Sequence, residues 1–452
     1  MKQLSIGKTI KLAVTLILAL PLLSSAQSSD KEYYGRPSYW RPYDQRGINI
    51  FETSKQADSL QFEGPRVRFG AGFTQQYQNL KQENTRAFDN GGTNKLYPLQ
   101  GGFMTAQANL FMDIQLADGI HLNVTSYLSS RHHNETWVKG GYIQFDKLPF
   151  KGVFWNNLMN ITTIKVGHME INYGDAHFRR SDGGQTLYNP FMETNIVDAF
   201  ATEIGGEVLL QKNGLFGLVG ITNGMIKGNV DSTYKTVFDD NTKRSPSIYL
   251  KGGIDKKLAD NIRVRLTGSF YHNGSNAGSG LTIFGGDRTG SNYQNVMEKA
   301  PYGVALPAST SVAFSGRFNP GFSKKINTVM LNAFLKVKGL ELFGTLESAK
   351  GRTKMEATDR KMNQLAGDVV YRFGKAENLF VGARYNVVKA RLQGQTSNVK
   401  IDRNAFAAGW FVTKNVLMKG EYVIQNYKDF PTPDYRSGGN FKGYVIEAVV
   451  GF

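Results

Sequence analysis

The stretch AQANLFMDIQLADGIHLNVTSYL, from Ala106 to Leu128, decides the fold class of this chain. Up to Leu116 every even position is apolar, and most of the odd positions between are polar. Ala117-Asp118-Gly119 then marks a tight turn, after which apolar residues again alternate with His121, Asn123, Thr125 and Tyr127. Alternation with a period of two predicts a β-hairpin that has one apolar face and one polar face.

The same pattern recurs along the chain after residue 65. A second hairpin runs from Ile248 to Tyr271 and turns near Ala259-Asp260-Asn261. Three more turn at Lys338-Gly339, at Gly374 to Asn378 and at Thr413-Lys414-Asn415. Repeated strands of this kind are typical of a transmembrane barrel, in which residues facing lipid and residues facing the lumen alternate. The fold class is therefore predicted to be all-β, a single closed antiparallel transmembrane β-barrel.

Long polar stretches separate the hairpins and give the barrel an expected orientation. Outer-membrane barrels place long loops outside the cell and short turns in the periplasm. Strict alternation of the two predicts sixteen strands, with fourteen or eighteen as alternatives. The weakest points are the link Lys147–Asn160 and the apolar Val312–Phe318 within the longest loop. The strands are expected to begin near residues 66, 103, 120, 135, 161, 201, 215, 246, 261, 326, 340, 362, 379, 403, 416 and 442.

The first residues resemble a secretory signal. Three lysines precede an apolar run from Leu12 to Leu23, and Ser24-Ser25-Ala26 supplies small residues for a signal peptidase. The run is shorter than the roughly 20 residues that a spanning helix needs. Residues 1–26 are therefore expected to be a signal peptide, residues 27–65 a periplasmic or lumenal extension, and residues 66–452 the barrel.

The C-terminus supports the same interpretation. Tyr444, Ile446, Val450 and Phe452 lie on one face of an amphipathic last strand that ends on an aromatic residue. This ending resembles the signal by which outer-membrane barrels engage the barrel-assembly machinery. A soluble propeller should instead show a repeat of about 40–50 residues, and the sequence has none. Export and the absence of a tight basic cluster argue against nucleic acid as the partner of a chain with a net charge of +17.

The polar strand faces are the candidate lumen wall. The basic residues placed inward are Arg68, Lys139, Lys165, Lys251, Arg263, Arg265, Lys336, Arg372, Arg384 and Lys419. The acids placed inward are Asp113, Glu203, Glu207, Asp255, Glu341, Glu347, Asp368, Glu421 and Glu447. The numbers nearly balance, so these charges either pair across strands and stiffen the barrel or set ion selectivity.

The long stretch Asn172–Phe200 is the best candidate for a pore constriction. It brings Asp175, His177, Arg179, Arg180 and Asp182 close together in sequence. Porin selectivity often depends on charges carried into the lumen by such a loop, and adjacent arginines could hold an anion. Alternatively, the loop packs on the outer surface and the two arginines pair with Asp175 and Asp182.

Signals for catalysis are weak. The six histidines show no HExxH spacing, and no GxSxG motif is present. No cofactor or metal is expected, and the chain is not expected to be an enzyme, although a catalytic group at the rim, such as His132 or His177, stays an alternative.

Several segments together resemble the phosphate-selective porin (O and P) family. They are WVKGGYIQF at Trp137–Phe145, IKVGHMEINYG at Ile164–Gly174, GLVGITNG at Gly217–Gly224, FAAGWFVTKNVLMKGEYVIQNY at Phe406–Tyr427, and the final EAVVGF. The resemblance implies a sixteen-stranded, homotrimeric, passive channel that prefers anions. It also implies an arginine ladder and a lysine cluster along the pore, which the sequence alone does not place.

These observations predict an outer-membrane porin that lets small hydrophilic solutes diffuse passively, with a possible preference for phosphate-like anions. The expected partners are outer-membrane lipid, the solutes, the barrel-assembly machinery and further copies of the chain, and the expected location is the outer membrane of a Gram-negative bacterium. The alternative is a barrel subunit of an envelope export or attachment complex, which would dock partners through its loops and its N-terminal extension.

Overall fold

The computed structural model describes residues 40–53, 55, 62–85, 96–104, 106–129, 136–181, 183–233, 235, 237–238, 243–276, 283–286, 292–300, 315–432 and 434–452. The expected signal peptide, residues 1–26, and residues 27–39 of the expected extension lie outside the described residues. The division into signal peptide, extension and barrel therefore stays a prediction.

Sixteen long strands and one strand of two residues make up a single antiparallel sheet in the described part of the chain. The strands are β1 (Arg66–Glu83), β2 (Gly102–Phe103), β3 (Gln107–Ala117), β4 (Ile120–Ser129), β5 (Thr136–Phe145), β6 (Thr162–Glu170), β7 (Thr202–Lys212), β8 (Leu215–Thr222), β9 (Ser247–Ala259), β10 (Ile262–Asn273), β11 (Lys325–Val337), β12 (Leu340–Arg352), β13 (Arg360–Phe373), β14 (Leu379–Arg391), β15 (Asn398–Thr413), β16 (Val416–Lys428) and β17 (Asn440–Gly451).

The sheet closes on itself. β17 pairs with β1 in an antiparallel register that runs from Gly72 opposite Gly451 to Glu83 opposite Asn440. On its other edge β1 pairs with β3, and the two-residue β2 pairs with β1 at Tyr77 and Gln78. Closure leaves no unpaired sheet edge among the sixteen long strands, so their main-chain groups bond to one another without solvent.

The alternation of the sequence becomes an inside and an outside. β13 is buried and exposed at strictly alternating positions. Its inward Asp368 and Arg372 are buried, whereas its outward Leu365, Val369 and Phe373 are 44–50% exposed. A polar interior surrounded by an exposed apolar band is the reverse of a soluble protein and is the arrangement of a transmembrane barrel.

Short turns join the strands at one end of the barrel, which we call the short-turn end. Between β7 and β8 the turn is Asn213-Gly214, with φ angles of 53° and 76°. Positive φ at both central residues defines a type I′ turn, whose twist matches that of the strands, and Asn-Gly is the preferred pair for it. The link between β5 and β6 is longer because it contains a seven-residue α-helix, Val153–Met159.

The predicted strands are confirmed with small corrections. Each of the sixteen predicted starts lies within five residues of an observed start. The largest error is at β15, which begins at Asn398 rather than near residue 403, because its polar first residues look like part of the preceding loop. β2 was not predicted. Residues 315–318 of the apolar Val312–Phe318 form no strand, and residues 312–314 lie outside the described residues.

No helix in the described part of the chain is long and apolar enough to cross a membrane.

Candidate functional site

The connection between β6 and β7, residues 171–201, lies inside the barrel, and we call it the inner loop. It contains two 3-10 turns, Ala176–Arg179 and Gly183–Tyr188. Met192 and Ile196, near its middle, have no exposed surface. The stretch that the sequence singled out therefore occupies the lumen, and its role as a constriction stays a prediction.

Buried main chain needs hydrogen-bond partners, and the barrel wall supplies them. Arg384 donates to the carbonyl of Glu193 at 2.7 Å, and Arg403 to that of Thr194 at 2.9 Å. The ammonium of Lys419 donates to three loop carbonyls at 3.0–3.1 Å. The other wall residues that bond the loop main chain are Lys251, Ser269, Asn332, Gln364, Asn386 and Glu421.

These contacts cover one side of the wall. They come from every strand between β9 and β16 except β12, whose Glu347 accepts a hydrogen bond from the hydroxyl of Tyr173 at 3.1 Å instead. The inner loop is therefore fixed along the β9–β16 wall.

A second segment, residues 40–53, crosses the barrel at its short-turn end, and we call it the strap. The main-chain N–H of Gln45 donates to the carbonyl of Lys414, in the turn between β15 and β16, at 2.8 Å. Just beyond the other end of the strap, the ammonium of Lys55 lies 3.0 Å from Asp146, directly after β5. The strap is therefore attached on opposite sides of the wall.

Aromatic side chains hold the strap in the lumen. Tyr43 stacks on Phe111 of β3, with the ring centroids 4.4 Å apart. Phe51 meets Phe178 of the inner loop and Phe334 of β11 edge to face, at 5.7 and 5.5 Å. The strap, the inner loop and the wall thus share one apolar contact.

The strap, the inner loop and two strands also meet in a buried ion cluster. Arg265 of β10 lies 2.7 Å from Glu52 of the strap and 2.8 Å from Asp175 of the inner loop. Lys251 of β9 lies 2.9 and 2.8 Å from the same two acids. All four side chains are at most 3% exposed, so two acids and two cations neutralise each other away from water.

This cluster keeps its acids ionised. Burial opposes the charged form of Glu52, but the positive charges of Lys251 and Arg265 outweigh it and lower the pKa of Glu52 to about 2. Burial likewise opposes ionisation of Asp175, and the same two cations hold the pKa of Asp175 well below its usual range.

The loop residues predicted from sequence separate in the structure. Asp175 belongs to the ion cluster. The Nδ1 atom of His177 lies 2.6 Å from a carboxylate oxygen of Glu170, the last residue of β6. Asp182 lies outside the described residues.

The two adjacent arginines point to different partners. The guanidinium of Arg179 lies over the ring of Phe343 and 3.9 Å from Glu341 of β12. Arg180 makes two hydrogen bonds to the carboxylate of Asp198, at 2.6 and 2.9 Å. Neither arginine pairs with Asp175, and the two do not form a joint anion clamp.

Arg180 instead belongs to a second buried cluster, which joins the inner loop to the long connection between β10 and β11. Arg317 of that connection lies 3.1 Å from Asp198 and 2.8 Å from Glu193. The amide of Phe318 donates to the carbonyl of Ile196 at 2.7 Å. The end of the barrel opposite the strap is therefore packed as well.

Ten cations were predicted for the lumen wall, and the seven of them that lie on β9–β16 face inward and have acidic partners. Four of these seven pairs join neighbouring strands. The pairs are Lys251 with Asp175, Arg263 with Asp255, Arg265 with Asp175, Lys336 with Glu377, Arg372 with Glu341, Arg384 with Asp368, and Lys419 with Glu447. Ion pairing is therefore present on this wall, and a role of these charges in ion selectivity stays a prediction.

A cavity of about 220 Å³, lined by polar, charged and aromatic side chains, remains on the other side of the lumen, and we call it the chamber. The strap and the inner loop bound it, and all of its lining residues precede Leu210 in the chain. The wall side chains that line it include Arg68, Asn109, Asp113, His121, Asn123, Thr125, Lys139, Tyr142, Gln144, Thr163, Lys165, His168 and Thr202.

The short-turn end carries a second, wider cavity of about 620 Å³, which we call the basic pocket. Its lining includes two acids, Asp260 and Glu377, and seven cationic residues. The cations are Arg46, Lys257, Arg263, Lys336, Lys338, Arg372 and Lys375. Lys257, Lys338 and Lys375 are exposed, the first near the end of β9 and the other two on short turns, so their positive field reaches solvent.

Sequence reasoning missed several residues of this site. Arg403 was not placed on the wall, because the predicted start of β15 fell on it, although its alternation with Ala405 and Ala407 was visible. Glu52 and Tyr43 were passed over because the extension shows no strand periodicity. No local signal in the sequence marks Asp198 or Arg317 as partners of Arg180.

The predicted assembly residues lie on the outer face of β17. Tyr444, Ile446 and Phe452 are 42%, 48% and 61% exposed, and Val450 is half-buried. In the described part of the chain no three His, Cys, Asp or Glu residues lie close enough to hold a metal ion.

A closed sixteen-stranded barrel with a long loop folded into its lumen is the architecture of porin-like outer-membrane barrels. No protein-family model matches the sequence. No curated protein matches it either. The fold, however, is similar to that of the anion-selective porin from Comamonas acidovorans, with a TM-score of 0.52 and 11% identity over 86% of this chain and 100% of that chain.

Two further solved structures were compared. The outer membrane channel DcaP of Acinetobacter baumannii gives a TM-score of 0.49, and OmpF of Salmonella typhi, solved in complex with daunomycin, gives 0.48. Each is 11% identical and covers 87% of this chain and 99% of its own. Because the sequence identity is this low, the similarity to the Comamonas porin shows a shared fold and nothing more.

Proposed function

We propose that this protein is a porin of the Gram-negative outer membrane through which small hydrophilic solutes diffuse passively. The observation that carries the proposal is the chamber, a cavity with polar and charged side chains in its lining, inside a barrel whose outer face is apolar. An apolar belt of this kind requires lipid, and a lumen lined by hydroxyl, amide and charged groups suits hydrated solutes. The passage needs no chemical step, so no residue is assigned a catalytic role.

The finer part of the proposal is a preference for anions, including phosphate-like oxyanions. The basic pocket supports it, because seven cationic residues and two acids line that cavity. The predicted arginine pair supports it less, since Arg180 is already bound to Asp198. The fold likeness to an anion-selective porin agrees with this preference, as does the resemblance to phosphate-selective porins.

The proposed surroundings follow from the same class. Outer-membrane lipid would contact the apolar belt, and the barrel-assembly machinery would recognise Tyr444, Ile446, Val450 and Phe452. A homotrimer is the proposed assembly. Chemical crosslinking in detergent, followed by mass measurement, tests the assembly independently of transport.

Single-channel recording tests the function. Refolded protein in a planar bilayer should give stable conductance steps, and a salt gradient should give a reversal potential of the sign expected for anions. Steps without ion preference would leave the porin and remove the anion preference. A folded barrel that never conducts would contradict the proposal.

One observation favours a second candidate, a barrel that docks partners of an envelope complex. Both ends of the lumen are packed, by the strap at one end and by Arg317 and Phe318 at the other. Absence of conductance together with stoichiometric copurification of another envelope protein would favour this candidate.

A further inference from the structure

His177 is held between two hydrogen-bond acceptors at the edge of the chamber. Its Nδ1 atom lies 2.6 Å from a carboxylate oxygen of Glu170. Its Nε2 atom lies 3.0 Å from the side-chain oxygen Oδ1 of Asn172. A neutral imidazole has one N–H and can donate to only one of two acceptors.

The orientation of the Asn172 amide decides what faces Nε2, and two further contacts fix that orientation. The Nδ2 atom of Asn172 donates to Glu52 at 3.1 Å, and its Oδ1 atom accepts from the ammonium of Lys251 at 2.6 Å. A flipped amide would turn its NH₂ group toward the ammonium and its oxygen toward the carboxylate. Oδ1 therefore faces Nε2, both ring nitrogens must donate, and the geometry requires an imidazolium.

The charged groups around His177 are largely engaged with one another. Glu52, Asp175 and Lys251 belong to the buried ion cluster. Arg180 of the inner loop binds Asp198. The remaining groups that face this place are Arg41 of the strap and Lys139 of β5, both of which line the chamber. Glu170 is left as the counterion of His177.

The pair His177–Glu170 lies in the lining of the chamber, where a solute in the chamber would contact it. His177, Glu170 and Asn172 all line the chamber, and the ring of Phe178 lies 3.9 Å from the ring of His177. While His177 carries its proton, the pair is neutral overall. If this positive charge is removed, the carboxylate of Glu170 adds one negative charge to the chamber wall, which also holds the cations Arg41 and Lys139.

We propose that His177 is a specificity-determining residue. Its imidazolium neutralises Glu170 and so sustains passage of anions through the chamber. This inference rests on the proposed porin function. Replacing this imidazolium by an uncharged side chain therefore shifts the chamber toward cations.

Reversal potentials of the full-length refolded protein, measured under a KCl gradient, test the inference. His177→Gln replaces the imidazolium by an uncharged amide and should lower the ratio of chloride to potassium permeability. The fall should be about twofold to fivefold, the size expected for one unit charge in a largely aqueous surrounding.

Two further variants separate this role from a merely structural one. The double variant Glu170→Gln/His177→Gln removes both charges of the pair, so it should restore the permeability ratio of the unaltered protein. His272→Gln is the control, because His272 lies outside the chamber lining and bonds the side-chain oxygen of Asn327. This control should keep the ratio of the unaltered protein.

The outcomes distinguish the two claims. A conducting protein whose permeability ratio is unchanged in His177→Gln would overturn the inference and leave the porin standing. A barrel that never conducts would overturn the porin and the inference together. The ¹⁵N NMR spectrum of histidine-labelled protein, assigned by comparison with His177→Gln and recorded in the buffer of the conductance measurements, should show an imidazolium, and a neutral tautomer would overturn the inference without any recording.

Discussion

The two sides of the barrel wall obey one alternation of residues, yet their inward side chains face different surroundings. On the β9–β16 side, long side chains such as Arg384, Arg403 and Lys419 extend to the carbonyls of the inner loop. On the side that lines the chamber, shorter polar residues such as Asn123 and Thr125 face the cavity. An inward charge is therefore not by itself evidence of a pore lining, since on the covered side it serves to bury a loop.

The difference has an energetic consequence. Removing one partner from a buried, hydrogen-bonded ion pair leaves an uncompensated charge and is costly. Removing a partly exposed charge costs little, because water replaces its partner. Substitutions on the covered side should thus change stability, whereas those around the open cavities should change selectivity.

The largest effect is expected from Arg265→Met. This change removes one of the two cations that neutralise Glu52 and Asp175, so the free energy of unfolding should fall by about 3–5 kcal/mol. Urea unfolding of the refolded protein in detergent micelles measures this free energy.

The control on the chamber side is Lys139→Met. Lys139 is half-buried and lies 5.4 Å from the Phe200 ring, so its loss should cost about 1 kcal/mol or less. Equal losses in the two variants would remove the energetic distinction between the two sides.

The next effect concerns the cluster that joins the inner loop to the β10–β11 connection. Asp198→Ala removes the carboxylate that Arg180 and Arg317 share, so a loss of about 3 kcal/mol is expected. Asp231→Ala is the matched control, because Asp231 is 59% exposed in its pair with Arg244 and should be close to neutral. If Asp198→Ala proves as mild as its control, the clusters do not hold the loop in place.

The sequence predicts the wall far better than the contents of the lumen. Alternation places Lys251, Arg265 and Arg384 inward because a strand has only two faces, and a correct register fixes every residue on it. No such period governs the inner loop or the strap. Glu52 meets Arg265 only because distant segments meet in the lumen, and no local pattern records that meeting. The same limit explains why the pairing of Arg180 with Asp198 was not predicted.

A smaller effect should appear on acidification. The pKa of Glu52 is lowered from 4.5 to about 2 in the folded protein, so its stabilisation is complete above pH 4.5 and disappears as the pH falls toward 2. At pH 3 the loss should be about 2 kcal/mol. Urea unfolding at pH 6 and pH 3 should therefore show a drop in stability that is smaller in Glu52→Gln than in the unaltered protein. Identical drops would mean that Glu52 is not ionised against Lys251 and Arg265.

The smallest effect separates the two cavities. Lys257, Lys338 and Lys375 are exposed beside the basic pocket. Replacing all three with alanine should leave stability nearly unchanged and lower the chloride-to-potassium permeability ratio about twofold at low salt. The effect should be smaller at 1 M salt, where charges are screened beyond about 3 Å. The control variant replaces Lys350, Lys361 and Lys389, which are exposed on the outer face near the opposite end of β12, β13 and β14. It removes the same total charge, so a ratio that falls equally in both variants would reflect net charge alone. A fall confined to the first variant would place anion selection at the short-turn end, separate from the pair His177–Glu170 in the chamber.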